Sequence, residues 1–145
     1  MSERAPAPSR ASYPWRIPLT TRWMDNDVYG HVNNVVYYAF FDTVINRFLI
    51  DEGGLDIHEG TVIGLAVETS CTFAGSVKFP EPVIAGLRVA HLGKSSVRYE
   101  IGLFRNEEKM ASAQGYFVHV YVDRASRRST ALPADMRAAL QKLMD

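Results

Sequence analysis

The stretch Thr21-Arg22-Trp23-Met24-Asp25-Asn26-Asp27-Val28-Tyr29-Gly30-His31-Val32-Asn33-Asn34 opens directly into the apolar run Val35 to Ile50, and the reading of this junction decides the fold. At helical spacing Tyr37, Tyr38, Phe41, Val44, Ile45, Phe48 and Leu49 cover one face of the run. Asp42, Thr43, Asn46 and Arg47 gather in a narrow polar stripe, thinned further by Val35, Val36, Ala39, Phe40 and Ile50. A surface helix carries a narrower apolar face, so the pattern predicts a helix enclosed by other elements. Asn33 or Asn34 suits its N-cap. Gly53-Gly54 supplies the left-handed stop at the other end. Asp51 and Glu52 oppose the negative end of the dipole, which implies either fraying or compensation by Arg47.

A buried helix with an open first turn presents backbone N–H groups to a cleft, where they can hold a developing oxyanion. Asp27 lies just upstream, within reach of that cleft as a base or nucleophile. The pairing suits acyl transfer. Asp27 also fits a plainer role, closing an Asx turn ahead of the helix. Asp25 is its rival, because residues two apart in extended chain point the same way. Asp25 to Gly30 resembles the start of a calcium loop, but Tyr29 and Val36 fall at positions five and twelve, where ligands are required. His31 suits structural duty in the loop or contact with a substrate.

Working outward, Arg16 to Trp23 reads as a first strand, with Pro18 arguing for an edge position. Thr61 to Phe73 alternates, with Ile63, Leu65, Val67, Thr69, Cys71 and Phe73 on one face. Val62, Gly64, Ala66, Glu68, Ser70 and Thr72 form a small-residue face that can lie close to another backbone or a slim ligand. Pairing should break between Ala74 and Pro82. Val83 to Leu92, Ser96 to Arg105 and Lys109 to Val122 follow as strands joined by hairpins, and Pro133 begins a short helix carrying Met136, Leu140 and Leu143. Strands and helices do not alternate as a parallel doubly wound sheet requires. The expectation is an α+β fold, an antiparallel sheet curled around one helix.

Composition narrows the function classes. The 145 residues suit one domain over 15–145, after a Pro-rich tail, residues 1–14, expected to be disordered or draped. Sixteen basic and sixteen acidic side chains cancel, which disfavours nucleic acid as a partner. No secretory leader or membrane-spanning stretch is evident, so a cytoplasmic protein is expected. Cys71 is the single cysteine, excluding an internal disulfide and reading as a small core residue. His58, His91 and His119 lack ligand spacing, so no metal is expected. A Gly-x-Ser-x-Gly elbow and a glycine-rich phosphate loop are both missing.

The run Arg22 to Asn34, followed by Tyr37, resembles the signature of the hotdog-fold acyl-CoA thioesterases of the hydroxybenzoyl-CoA thioesterase type. Looser matches are Val67-Glu68 leading to Phe73, Gly93-Lys94-Ser95-Ser96, and Tyr121-Val122-Asp123-Arg124 running to Leu132-Pro133. The resemblance implies a hotdog fold, a five-stranded antiparallel sheet wrapped around a long central helix. It implies a homo-oligomer, a dimer or dimer of dimers, with acyl-CoA sites at subunit interfaces. It assigns Asp27 as nucleophile or general base and the Asn34 N–H as the group polarising the thioester carbonyl. Some relatives place a glutamate on the central helix instead, and this helix has none facing the core.

The expected protein is therefore a thioester hydrolase that needs no cofactor or metal, coenzyme A being part of its substrate. Asn33 caps the helix, His31 sits inside the signature, and Glu68 is a second carboxylate within reach. An apolar thioester site would strip water from Asp27 and sharpen it as a base. Coenzyme A phosphates need cations, for which Lys78, Arg88, Lys94, Arg98, Arg124, Arg127 and Arg128 are candidates, with Ser95 beside Lys94. Arg124, Arg127 and Arg128 are the best group. Tyr37, Phe41, Phe73 and Tyr99 either line an aryl pocket or fill the core. The alternatives are a thioesterase acting on acyl-carrier protein, a hotdog dehydratase, or a non-catalytic acyl-CoA-binding module.

Overall fold

The computed structural model describes residues 8–144. Its elements are β1 (Trp15–Leu19), α1 (Asn34–Asp51), β2 (Val62–Phe73), β3 (Val83–Leu92), β4 (Ser96–Arg105), β5 (Ala113–Asp123) and α2 (Ala134–Gln141). The strands form one antiparallel sheet in the order β1-β3-β4-β5-β2. Together with the long α1 and the short α2, this is the hotdog arrangement expected from the sequence.

α1 holds the core together. Tyr37, Phe40, Phe41, Val44, Ile45, Phe48 and Leu49 are buried at three- and four-residue spacing against residues of all five strands. Each large apolar side chain so enclosed contributes about 1.5–3 kcal/mol. Phe40 belongs to this face and Tyr38 does not, a rotation of the expected stripe that leaves Tyr38 partly exposed beside Phe117. At the C-terminal end the N–H groups of Glu52 and Gly53 donate to Phe48 O, and Leu55 N–H donates to Leu49 O. Gly54 supplies the left-handed residue at φ 72°. Arg47 pairs with Asp51 at 3.0 Å, the expected compensation.

Three strand expectations need correction. β1 ends at Leu19, and Trp23–Asp25 is a 3-10 turn, because Asp25 draws the chain back onto Arg22. Pro18 lies on this edge strand, opposite Ile84, where a missing donor is tolerated. β5 starts at Ala113 and not Lys109, since residues 109–111 pair instead with the N-terminal segment: Arg10 N–H donates to Lys109 O at 2.7 Å and Ala111 N–H to Pro8 O at 3.0 Å. Within β2 a bulge at Val67 shifts the register between Ala66 and Glu68. Gly64 and Ala66 oppose the buried Tyr121 and His119, whereas Glu68, Ser70 and Thr72 oppose Val118, Tyr116 and Gln114 on the outer face. The predicted small-residue face is thus split in two, and Glu68 leaves it.

Residues 8–14 are laid across the outer face of the sheet. Tyr13 is buried over Gly86 and Gly102, where an added Cβ would come within 2.6 and 2.7 Å of it, and its ring meets Phe104 edge-on. The Arg88 guanidinium covers Tyr13 at 5.4 Å. The rest of the expected tail lies outside the described residues.

Candidate active site

The polar loop before α1 is built by its two aspartates in different ways. Asp25 is 1% exposed, its carboxylate accepting from Arg22 N–H at 2.8 Å and from the Arg22 guanidinium at 2.9 and 3.1 Å. Its carbonyl accepts from Asn33 N–H at 2.9 Å, so Asp25 orders the turn. Asp27 is half-buried and has no ion-pair partner among the described residues. Its Oδ1 accepts from Tyr29 N–H at 2.9 Å, an Asx turn, with Gly30 in the left-handed region at φ 86°. Its Oδ2 faces Asn33 Nδ2 at 3.4 Å.

Asn33 ties this carboxylate to the helix. Its Oδ1 accepts from Val35 N–H at 2.9 Å, which makes it the N-cap, and its main-chain carbonyl accepts from Val36 N–H at 2.9 Å. Asn34 is therefore the first helical residue and not the cap. Its N–H makes no hydrogen bond to another described residue, although its neighbours' amides are spent. One asparagine side chain thus joins a half-buried carboxylate to a helix terminus that retains an unspent donor. Such a donor, reinforced by the dipole, suits an oxyanion, and the carboxylate suits a base or nucleophile.

His31 accepts from Asp27 N–H through its main-chain carbonyl at 3.0 Å, while its imidazole is exposed. Two further contributors, Asn26 inside the signature run and Tyr37 just after it, have partners that the run itself does not reveal. Asn26 Oδ1 accepts from Phe79 N–H at 3.1 Å, and the Tyr37 hydroxyl accepts from Val77 N–H at 3.2 Å, while Val32 N–H donates to Val77 O at 2.8 Å. These bonds clamp the mouth to residues 77–79.

The other candidates lie elsewhere. Glu68 accepts from the Tyr116 hydroxyl on the outer face, where Arg98 stacks over Tyr116 at 3.8 Å. Lys94 and Ser95 occupy the β3–β4 hairpin, their carbonyls accepting from Leu132 N–H and Tyr121 N–H. Arg124 is engaged in the fold: its guanidinium donates to Gly60 O at 2.7 Å and Ile57 O at 2.8 Å. Arg127, at φ 64°, and Arg128 are exposed in the turn after β5. Apart from Glu68, which is mid-strand in β2, these residues sit at the end of the sheet opposite Asp27, about 30 Å away along ten-residue strands. The structure does not bring the two groups together within one chain.

Tyr37, Phe41 and Tyr99 are core residues, while Phe73 is partly exposed and meets Tyr37 edge-on at 4.9 Å. Cys71 packs against the core, and burial pushes its thiol up to about 11. No His, Cys, Asp or Glu cluster able to hold a metal occurs among the described residues. No helix there is long and apolar enough to cross a membrane.

Among solved structures, the PA5185 protein from Pseudomonas aeruginosa strain PAO1 is 54% identical, with a TM-score of 0.95 over 97% of this chain and 98% of that one. The PA2801 protein from the same species is 29% identical, with a TM-score of 0.80 over 86% and 95%. A thioesterase from Thermus thermophilus, complexed with coenzyme A and Zn, is 25% identical, with a TM-score of 0.75 over 91% and 95%. No match is found among curated proteins. The profile of the thioesterase-like superfamily matches residues 21–140, from the last residues before the mouth loop into α2, and the chain belongs to that superfamily.

Proposed function

We propose that this protein hydrolyses an acyl-CoA thioester to the free acid and coenzyme A, in the manner of the hydroxybenzoyl-CoA type. The observation that carries the reading is the Asp27–Asn33–α1 linkage, which leaves the Asn34 N–H unspent beside a half-buried carboxylate. The thioester carbonyl sits on the Asn34 N–H, and the helix dipole stabilises negative charge as it develops on that oxygen. Asp27 either takes a proton from an attacking water or attacks the carbonyl carbon itself, with the thiolate as leaving group in both routes. Asn33 positions Asp27, and His31 holds the loop through its carbonyl. No metal or cofactor takes part, and the cytoplasm supplies the substrate.

The site is completed by a second copy. β2 is an edge strand whose exposed residues include Leu65, Val67 and Phe73, with Val67 60% exposed. Antiparallel pairing of two β2 strands would lay the Lys94, Ser95, Arg127 and Arg128 end of one chain beside the Asp27 end of the other, so phosphates and thioester are held by different subunits. Arg124, anchored by Gly60 O and Ile57 O, keeps its charge at that end beside Arg127 and Arg128, and Glu68 borders the paired edge.

The test is thiol release from short, long and aryl CoA thioesters by the wild type and Asp27→Asn, alongside the solution mass. A fully active Asp27→Asn overturns the site. Thermal stabilisation by coenzyme A with no thiol release from any thioester makes the protein a binding module. Turnover confined to thioesters on acyl-carrier protein makes it a carrier-protein thioesterase.

A further inference from the structure

The outer face of the sheet carries a hollow of about 210 Å³, well away from the mouth loop. Strand register sets its residues in two neighbouring rows: Gly102, Gln114 and Thr72 in one, and Arg88, Glu100, Tyr116 and Ser70 in the next. Tyr13 enters from the N-terminal segment. Its Cβ stands over Gly86 and its hydroxyl over Gly102, so the phenol points across β4 into the hollow. Tyr13 is 2% exposed, yet its hydroxyl makes no hydrogen bond to another described residue. It is not sealed in, as the unpaired His119 Nδ1 is. A buried donor with an open approach calls for a partner.

Charge and donors define that partner. Arg88 pairs with Glu100 at 2.7 Å and Arg98 approaches the same carboxylate at 3.7 Å, so two guanidiniums share one acid and one positive charge is left over. Glu68 stands outside the lining, its carboxylate accepting from the Tyr116 hydroxyl. The Ser70 hydroxyl and the Gln114 side-chain amide also lack hydrogen-bond partners among the described residues. Burial pushes the Tyr13 hydroxyl up to about 12, with Arg88 opposing and Glu100 adding, so at neutral pH it is a donor.

We propose that this hollow binds a small carboxylate, whose oxygens accept from Tyr13, Ser70 and Gln114 beside the Arg98 guanidinium. Hydrogen bonds to an ionised acceptor are the strong kind, and a single leftover positive charge suits a monoanion better than phosphate. A cavity of about 150 Å³ is enough for benzene, so an acid as large as benzoate can enter between Tyr13 and Tyr116. Once bound, it ties the N-terminal segment to edge strand β2 through Tyr13 and Ser70. The site rests on neither the thioesterase reading nor the pairing of copies.

The experiment titrates full-length protein, labelled with 15N-glycine, with benzoate, its neutral counterpart benzamide and inorganic phosphate. Gly115 at the hollow and Gly30 in the mouth loop report the two places separately. Benzoate is expected to move Gly115, leave Gly30, and bind about tenfold better than benzamide or phosphate. Tyr13→Phe, which keeps the ring in its seat, and Arg98→Gln should each weaken benzoate about tenfold. Arg98 is 40% exposed, so its variant carries the test if Tyr13→Phe disturbs the N-terminal segment. A shift confined to Gly30, with both variants unchanged, puts benzoate at the mouth and overturns the proposal. Gly115 shifts that follow protein concentration and not benzoate give the hollow to a second copy and overturn it as well. Benzamide or phosphate binding as tightly as benzoate removes the carboxylate.

Discussion

The two ends of α1 are finished in opposite ways. At the C-terminal end the carbonyls of Phe48 and Leu49 receive the amides of Glu52, Gly53 and Leu55, and Arg47 neutralises Asp51. At the N-terminal end Asn33 occupies the amides of Val35 and Val36, leaves that of Asn34, and turns its own NH2 toward Asp27. One terminus is closed for stability, and the other keeps a donor and a carboxylate in reserve. On the proposed reading, the terminus that serves chemistry is the one whose hydrogen-bonding capacity is left unspent.

The sharpest way to break this contrast is Asp27→Asn, which should lower kcat for thiol release by about 10²–10⁴-fold. Its unfolding free energy should stay within about 0.5 kcal/mol of wild type by denaturant titration, as for other substitutions away from the core. Asn33→Ala removes the cap at a cost of about 1 kcal/mol. By releasing Asp27 it should also cut kcat by about 10–100-fold, read in the same assays. Gly54→Ala forces an alanine into the left-handed region at φ 72°, costing about 1 kcal/mol while leaving kcat alone. Similar stability losses at both ends with activity lost at only one would secure the comparison; activity lost at both would break it.

The smallest effect is a pH dependence. The folded state keeps His119 neutral below its ordinary 6.5, so the unfolded chain binds the extra proton first. Stability is complete above about 6.5 and falls as pH drops from there toward the lower folded value, with Asp42 softening the slope. Denaturation midpoints across this range should decline for wild type and decline less for His119→Phe.

Much of this was readable from residues. β3 and β4 match their expected bounds because turn residues stop both, Gly93 at one hairpin and Asn106 at φ 51° in the other. The cap, the stop and the Asx turn follow from Asn33, Gly54 and Asp27, whose side chains or backbone preferences act locally. What stayed hidden was nonlocal. A period-two reading cannot foresee the bulge at Val67, which is set by pairing with β5 and carries Glu68 to the other face. The start of β5 depended on residues 8–10 arriving from the far end of the chain. The separation of the basic cluster from Asp27 is a property of strand direction, invisible in any single motif. His119 had a faint signal, since alternation places it between Phe117 and Tyr121, but nothing in the string says that its Nδ1 goes unanswered.

The seat of Tyr13 bears on how the protein can be handled. Gly86 and Gly102 form a dent that this one ring fills, and Arg10 and Arg88 cover the Phe104 and Tyr13 faces behind it. A shortened version beginning at Pro14 would keep every strand and both helices yet uncover Phe104 and two bare glycine backbones. The leader thus works as a plug for the sheet's outer wall, and any tag, trim or fusion should leave the chain from Pro8 onward intact.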